Sequence, residues 1–308
     1  MLREVSSPIA VSCAFSPCHI TGFYHKMMDY SSDLKSGSIG AGISLAEGVS
    51  TRVTVNEAQS KNTFEISING AMTDAAIVSQ KVIGDYVRMI NRPLHISVYH
   101  ETRIPVGFGL GTSGAAALSL SISLNDALRT GLSVVECAQL AHSAELYCKT
   151  GLGTVISEFT GGLELRTLAG APGIGRIEKI PIFGMSVVAI CLSPISTSQY
   201  INRLEDKLTI KTANFLKQLE LSKSVNDFLR LSHEFSTSLK IIGGRCNSVI
   251  QLLGSYGFIG SVALFGETVF TIVPNNEINS VLQILNDYDD YCIVADVDNV
   301  GARLLKTT

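Results

Sequence analysis

The 308-residue chain contains no tryptophan, no CxxC pair and no apolar run near the ~20 residues that a membrane span needs. Its seven cysteines are scattered without the spacing of metal ligands, so we expect free thiols in a reducing compartment. The N-terminal residues MLREVSS lack a basic region followed by an apolar stretch. We therefore expect no signal peptide and a soluble, cytoplasmic protein.

Charge of either sign is also sparse. Charged residues make up 17% of the chain and the formal net charge is −3, which gives no electrostatic case for binding nucleic acid. Apolar residues make up 46%, a proportion that suits a well-cored enzyme with a small-molecule substrate. No GxxxxGK[ST] string occurs, which excludes a Walker A loop.

The first half of the chain alternates strand and helix patterns. Apolar runs and period-two alternation predict strands at 9–15, 38–46, 51–57, 64–70, 94–100 and 162–168, with a loop at 16–24. Helices are predicted at 74–91, 113–129 and 133–149, the last with a capping box formed by Ser133 and Glu136.

The stretch AGAPGIGR at 169–176 breaks these patterns, and we place a domain boundary there, giving domains 1–170 and 171–308. Beyond it we predict strands at 185–193, 258–265, 268–273 and 291–297, and helices at 197–220, 224–238, 245–255 and 276–287. With the helices counted as one block, the order is β-α-β-β-α-β, a ferredoxin-like arrangement in an α+β protein.

The most informative stretch is PVGFGLGTSGAAA at 105–117. Gly107, Gly109 and Gly111 lack a Cβ, so the backbone can turn sharply and approach a ligand closely. Thr112 and Ser113 follow where a helix begins, with unpaired N–H groups and a partial positive charge. This pattern is typical of a site that binds phosphate.

Two kinds of phosphate ligand fit a glycine turn of this type. Gly109, Gly111 and Gly114 spell GxGxxG, but a dinucleotide site needs a strand directly before the first glycine and another strand after the helix. Here Pro105 separates the strand from the turn, and the helix leads into a second helix. The pattern instead favours a kinase that holds the phosphates of ATP.

The turn resembles the second motif of the GHMP kinases (galactose, homoserine, mevalonate and phosphomevalonate kinases), usually written PxxxGLGSSAA. The matching residues are Pro105, Gly109, Leu110, Gly111, Ser113 and Ala115; Thr112 and Gly114 depart, and both are small. The resemblance implies a ribosomal protein S5 domain 2-like N-terminal domain and a ferredoxin-like C-terminal domain. It also implies that Pro105, Gly107 and residues 109–114 hold ATP.

The resemblance extends to a second loop and to a metal site. The family's first motif has a proline, a small residue and a basic residue, matched here by Pro17, Cys18 and His19. It implies that Mg²⁺ is held by Ser113 and Glu145, both hard oxygen ligands. Without the resemblance, Ser113 is equally a helix N-cap, and Glu145 a surface charge four residues from Lys149.

The general base is left open. Several members of the family have an aspartate at the position of Gly153, so that base is missing here. His19, standing where many members have lysine, is then the candidate catalytic residue. It can accept the hydroxyl proton as a neutral imidazole or stabilise the transferring phosphoryl group as an imidazolium.

The segments PCHITGF, GLGTVISEFTGG, GAPGIG and LFGETVF resemble the archaeal pantoate kinase branch of the family, which serves coenzyme A synthesis. That resemblance implies pantoate as substrate, with Arg103 or Arg166 as the partner of its carboxylate. Two alternatives stay open: a kinase of another small alcohol, such as homoserine or a mevalonate derivative, and a non-catalytic binding protein. The sequence also leaves open whether the chain forms a homodimer.

Overall fold

The structure is a computed structural model that describes residues 8–195 and 209–306. The strands are β1 Ala10–Met27, β2 Gly37–Glu57, β3 Thr63–Ile68, β4 Ala71–Met72, β5 Leu94–Thr102, β6 Leu163–Leu168, β7 Arg176–Ile180, β8 Met185–Ser193, β9 Ser261–Val262, β10 Glu267–Pro274, β11 Tyr291–Asp296 and β12 Arg303–Leu305. The helices are α1 Ile77–Val87, α2 Thr112–Leu128, α3 Val134–Cys148, α4 Thr154–Thr160, α5 Thr209–Ser222, α6 Val225–Ser238, α7 Gly244–Ser255 and α8 Ile278–Ile284.

The first sheet has the strand order β12-β1-β2-β5-β3-β4, with β6 paired to β2 and β7 paired to β6. All of these pairs are antiparallel except β3 with β5. A buried core joins this sheet to α1, α2 and α3 through residues such as Val53, Ile96, Val82, Leu120 and Ala141. The predicted capping box at the start of α3 is confirmed.

Strand β1 runs straight through residues 16–24, which we predicted as a loop; that prediction is wrong. The strand stays paired with β2 because register shifts at Pro17/Cys18 and Thr21/Phe23 absorb the irregular residues. Proline is tolerated in a strand at such a bulge. His19 therefore lies on a rigid strand rather than on a flexible loop.

The second sheet has the order β11-β8-β10-β9 and is antiparallel throughout. Helices α5, α6 and α7 lie where the block of three helices was predicted, and α8 lies within the helix predicted at 276–287. Residues 197–208 of the first predicted helix lie outside the described residues. The strand predicted at 258–265 is reduced to β9. Strands β7 and β12 were not predicted, and both join the first sheet although they follow the predicted boundary at 170.

The two sheets share a hydrophobic core. It includes Phe23 and Ile43 from the first sheet and Phe228 and Phe270 from the second half, and the rings of Phe23 and Phe215 pack edge to face at 5.6 Å. This shared core fixes the glycine turn at 105–117 next to the turn at 263–266. Within residues 8–195 and 209–306, none of the helices combines the length and the apolar character that crossing a membrane requires.

Candidate functional site

A cavity of about 380 Å³ lies where the glycine turn meets β1, β6 and the second half of the chain. Its wall is formed by His19 and Thr21 of β1, Gly107 and residues 109–113 of the glycine turn, residues 148–154, Arg166 of β6, and Leu264 and Phe265. The predicted residues His19, Ser113 and Arg166 thus meet at one cavity. Pro105, Gly114, Glu145 and Arg103 are not part of its wall.

The glycine turn has the backbone shape that its sequence predicts. Gly107, Gly109 and Gly111 have φ values of 90°, 75° and 73°, a region that favours glycine. Gly111 precedes the first residue of α2, and no side chain caps the helix, so Ser113 is not its N-cap. The first N–H groups of this 17-residue helix have no intrahelical partner and can bind an anion at the cavity wall.

The turn at 263–266 packs directly on the glycine turn. A Cβ on Gly109 would lie 2.5 Å from the Leu264 carbonyl oxygen, and one on Gly266 would lie 2.0 Å from the Phe108 carbonyl oxygen. The Thr268 hydroxyl donates to the same Phe108 oxygen at 2.8 Å. The sparse glycines of this segment therefore serve a close backbone contact that closes one side of the cavity.

His19 is fixed against the glycine turn and is only 1% exposed. Its backbone N–H donates to the Leu110 carbonyl oxygen at 3.0 Å. Its ring Nε2 lies 3.2 and 3.1 Å from the two carboxyl oxygens of Glu164, and Nδ1 lies 3.4 Å from the Thr21 hydroxyl. The ring stacks over Gly42, where a Cβ would lie 2.3 Å from ring atoms.

Glu164 is a residue that our sequence reasoning missed. Arg166 Nη1 donates to its Oε1 atom, and the Ser157 hydroxyl also donates to Oε1 at 3.0 Å. Arg166 Nη1 bonds the Ser157 hydroxyl as well, at 2.8 Å. The available signal was the spacing of Glu164 and Arg166, because residues two apart on a strand share a face and the remaining residues of this strand are leucines apart from Thr167.

The two candidate arginines lie in different surroundings. Arg166 is 1% exposed and lines the cavity, and its Nε has no hydrogen-bond partner among the described residues. Burial lowers the pKa of Arg166, and the nearby Glu164 carboxylate opposes that shift. The Arg103 side chain is 84% exposed, and its one charged partner among the described residues is Glu47, at 3.9 Å. The structure therefore brings Arg166, but not Arg103, to the predicted site.

Glu145 is buried at 2% exposure, so its alternative interpretation as a surface charge is wrong. Its carboxyl group accepts from the Thr150 hydroxyl at 2.7 Å and is hydrogen-bonded to Ser113. Burial raises the pKa of Glu145, while these two bonds act in the opposite direction. A Cβ on Gly151 would lie 2.0 Å from Glu145 Oε2. The predicted Ser113 and Glu145 pair is thus in contact beside the cavity.

A third carboxyl group, that of Glu158 on α4, was also missed. It is buried, and neither of its oxygens has a hydrogen-bond partner among the described residues. Burial raises its pKa well above the ordinary value, and the nearby Glu145 and Glu164 raise it further. The charged form of this carboxyl group is therefore costly behind the glycine turn.

The fold and sequence are similar to those of known proteins. The GHMP kinases N terminal domain matches residues 66–162. A pantoate kinase of Thermococcus kodakarensis is 26% identical over 94% of this chain and 97% of its own length, and one of Methanocaldococcus jannaschii is 29% identical over 89% and 97%.

Among solved structures, a phosphotransferase related to the CoA biosynthesis pathway aligns with a TM-score of 0.86, 24% identity and coverage of 96% of this chain and 98% of that chain. A complex described as MDDEF with MVAPP, AMPPCP and magnesium aligns with a TM-score of 0.73 and 13% identity, covering 97% of this chain and 99% of that one. These alignments confirm the predicted α+β fold of the GHMP kinase type.

Proposed function

We propose that this chain, whose residues 66–162 match the GHMP kinases N terminal domain, is a kinase of that family. It would transfer the γ-phosphoryl group of ATP to the primary hydroxyl of (R)-pantoate, giving 4-phosphopantoate in coenzyme A synthesis. One observation carries the proposal: a phosphate-type glycine turn, a histidine and a buried arginine line the same cavity. The pantoate kinases of two archaea, similar over 89% or more of the chain, support the choice of substrate.

The nucleotide phosphates lie at the glycine turn and the start of α2, where free N–H groups meet the cavity. Ser113 and Glu145 would hold Mg²⁺, which supplies positive charge to the β- and γ-phosphate oxygens. The donor set fits this ion, because Mg²⁺ takes one or two protein oxygens and completes its shell with water and phosphate. Within the described residues, no group of three or more His, Cys, Asp or Glu could hold a metal ion by itself.

Pantoate offers a carboxylate and a primary hydroxyl, and the cavity has a partner for each. The Arg166 guanidinium lies at the cavity wall and has an unpartnered Nε, so it binds the carboxylate. His19 then lies between this arginine and the phosphate-binding turn, where the hydroxyl must reach the γ-phosphorus. Phosphoryl transfer depends mainly on positioning and charge, which this arrangement supplies.

The function is tested by ADP release from the purified chain with ATP and Mg²⁺, using pantoate, pantothenate, homoserine and mevalonate in parallel. Of these four compounds, we expect only pantoate to be phosphorylated. A Ser113→Ala preparation made in the same way controls for contaminating kinases. Turnover of homoserine or mevalonate without pantoate would favour the kinase of another alcohol, and ATP binding without any turnover would favour the non-catalytic binding protein.

Cytoplasmic location and the homodimer stay predictions. Cell fractionation tests the first. Light scattering on a sizing column tests the second, since a monomer has a mass of 33.0 kDa.

A further inference from the structure

We infer that Glu164 is a positioning residue for this reaction: its carboxylate fixes His19 in the tautomer that carries its proton on Nε2, leaving Nδ1 to accept the proton of the substrate hydroxyl. The inference rests on the proposed function. His19 Nδ1 is then the proton acceptor in place of the missing aspartate.

A side chain at the position of the missing aspartate would meet the side chains of Ser38 and Arg166. A Cβ on Gly153 would lie 2.2 Å from the Ser38 hydroxyl and 3.4 Å from Arg166 Nε. An acid introduced there would displace the cavity wall. A proton acceptor can come from another element, and His19 on β1 lines the same cavity.

The Glu164 carboxylate determines which nitrogen of His19 carries the proton. Both carboxyl oxygens lie within 3.2 Å of Nε2, and Ser157 and Arg166 also donate to this group. An ionised carboxylate only accepts hydrogen bonds, so Nε2 must be the donor. In a neutral imidazole the other nitrogen, Nδ1, then carries a lone pair, and the Thr21 hydroxyl donates to it at 3.4 Å.

His19 Nδ1 is paired with a residue that also lines the cavity. It lies 3.4 Å from the hydroxyl of Thr21, and both residues line the cavity. The ring cannot slide toward β2, because it already rests on Gly42. The substrate hydroxyl would take the place of this long Thr21 contact when it donates to Nδ1.

The charges around His19 allow it to gain a proton. Arg166 forms an ion pair with the Glu164 carboxylate and balances its charge. A neutral His19 leaves this balance unchanged, and a protonated His19 still has the Glu164 carboxylate as its partner. The other titratable groups nearby are Glu158 of α4 and the Cys18 thiol. Burial raises the pKa of both groups well above their ordinary values, which disfavours a negative charge on either.

The hydroxyl oxygen forms a bond to the γ-phosphorus while the bond from that phosphorus to the β–γ bridging oxygen breaks, and ADP leaves with the electron pair. The hydroxyl proton moves to His19 Nδ1 and passes to water after product release. Glu164 stabilises the imidazolium but does not itself take the proton.

The test combines Glu164→Gln with ¹⁵N NMR of the His19 ring in histidine-labelled protein. We expect the wild-type ring to carry its proton on Nε2. In the variant the amide can donate as well as accept, so the ring becomes a mixture of tautomers. We expect kcat to fall by about 10²-fold or more, the contribution of a positioned general base, with KM for ATP within about twofold.

Two further variants complete the test of Glu164→Gln. Glu178→Gln makes the same change at an exposed position on β7, the neighbour of β6, and we expect wild-type rates. His19→Ala removes the ring itself, and we expect a loss of kcat at least as large as that of Glu164→Gln. Unchanged melting temperatures separate these effects from unfolding.

A wild-type ring protonated on Nδ1 would overturn the inference, and so would a Glu164→Gln enzyme with wild-type kcat. Absence of pantoate turnover in the wild type would instead overturn the proposed function. The two failures are distinguishable because the NMR measurement needs no substrate.

Discussion

Glu158 and Gly114 occupy complementary space at the start of α2: a Cβ on Gly114 would lie 2.6 Å from Glu158 Oε2 and 3.2 Å from Oε1. The GHMP motif has alanine at this position, and glycine was one of two departures in this chain. The departure has a physical reason, because the buried carboxyl group of Glu158 occupies the space that an alanine methyl group would need.

Gly114→Ala should therefore destabilise the chain, by about 1–3 kcal/mol for an overpacked buried site, and raise KM for ATP as the first turn of α2 shifts. Thermal unfolding and ATP saturation curves measure the two effects. Combined with Glu158→Ala, the same alanine should be tolerated better, with a coupling of about 0.5–3 kcal/mol between the sites.

Gly254→Ala is the matched control for this prediction. Gly254 lies on α7, and a Cβ there meets nothing within 4 Å. We expect this variant to be more stable than wild type by about 0.5–1 kcal/mol, the usual gain in a helix interior. Equal responses at the two glycines would contradict the packing explanation.

Glu158→Gln should make stability less sensitive to pH. Burial raises the pKa of Glu158 above its ordinary value of 4.5, so the folded chain binds this proton more tightly than the unfolded chain. The stabilisation is complete below pH 4.5 and declines as pH rises toward the folded-state pKa. Glutamine does not titrate, so the variant lacks this decline.

Melting temperatures of the two proteins between pH 4.5 and 8 test this prediction. The difference, variant minus wild type, should grow with pH, by about 2–4 °C for each kcal/mol in a chain of this size. Parallel curves would show that Glu158 has the same pKa in the folded and unfolded chains.

The parts of the site that could be predicted from sequence are those set by local backbone rules. The glycine turn and the start of α2 depend on neighbouring residues, and the glycines have the expected positive φ values. Glu164 could not be placed in the same way, because its partner His19 lies 145 positions earlier in the chain. Glu158 sits in a short helix whose sequence gives no indication that its carboxyl group is buried.

The same dependence on residues distant in the chain explains why the loop predicted at 16–24 is wrong. The proline at 17 and the glycine at 22 predict a loop when the local sequence is considered by itself. Pairing with the long strand β2, with two register shifts, keeps residues 16–24 extended. Non-local pairing of this kind leaves little trace in the local pattern of either strand.

Ser113→Ala and Glu145→Gln should each raise the Mg²⁺ concentration needed for half-maximal activity. Loss of residues that only orient metal ligands costs about 10–100-fold in affinity, so loss of a ligand should cost at least as much. Turnover measured across a Mg²⁺ series at saturating ATP gives the shift. Asp126→Asn, an exposed carboxylate near the end of α2, should leave the Mg²⁺ curve unchanged. A curve unchanged in all three variants would contradict the metal assignment.

The same substitution at the two candidate arginines should separate their roles. Arg166→Lys keeps a cation beside Glu164 but removes the planar fork that matches a carboxylate. A charge-assisted hydrogen bond contributes about 1.5–3 kcal/mol, so KM for pantoate should rise by about 10–100-fold while KM for ATP stays within about twofold. Arg103→Lys, at the exposed position, should change neither constant by more than about twofold. If Arg103→Lys raised KM for pantoate and Arg166→Lys did not, the substrate carboxylate would lie at Arg103, and the buried arginine would serve only to balance Glu164.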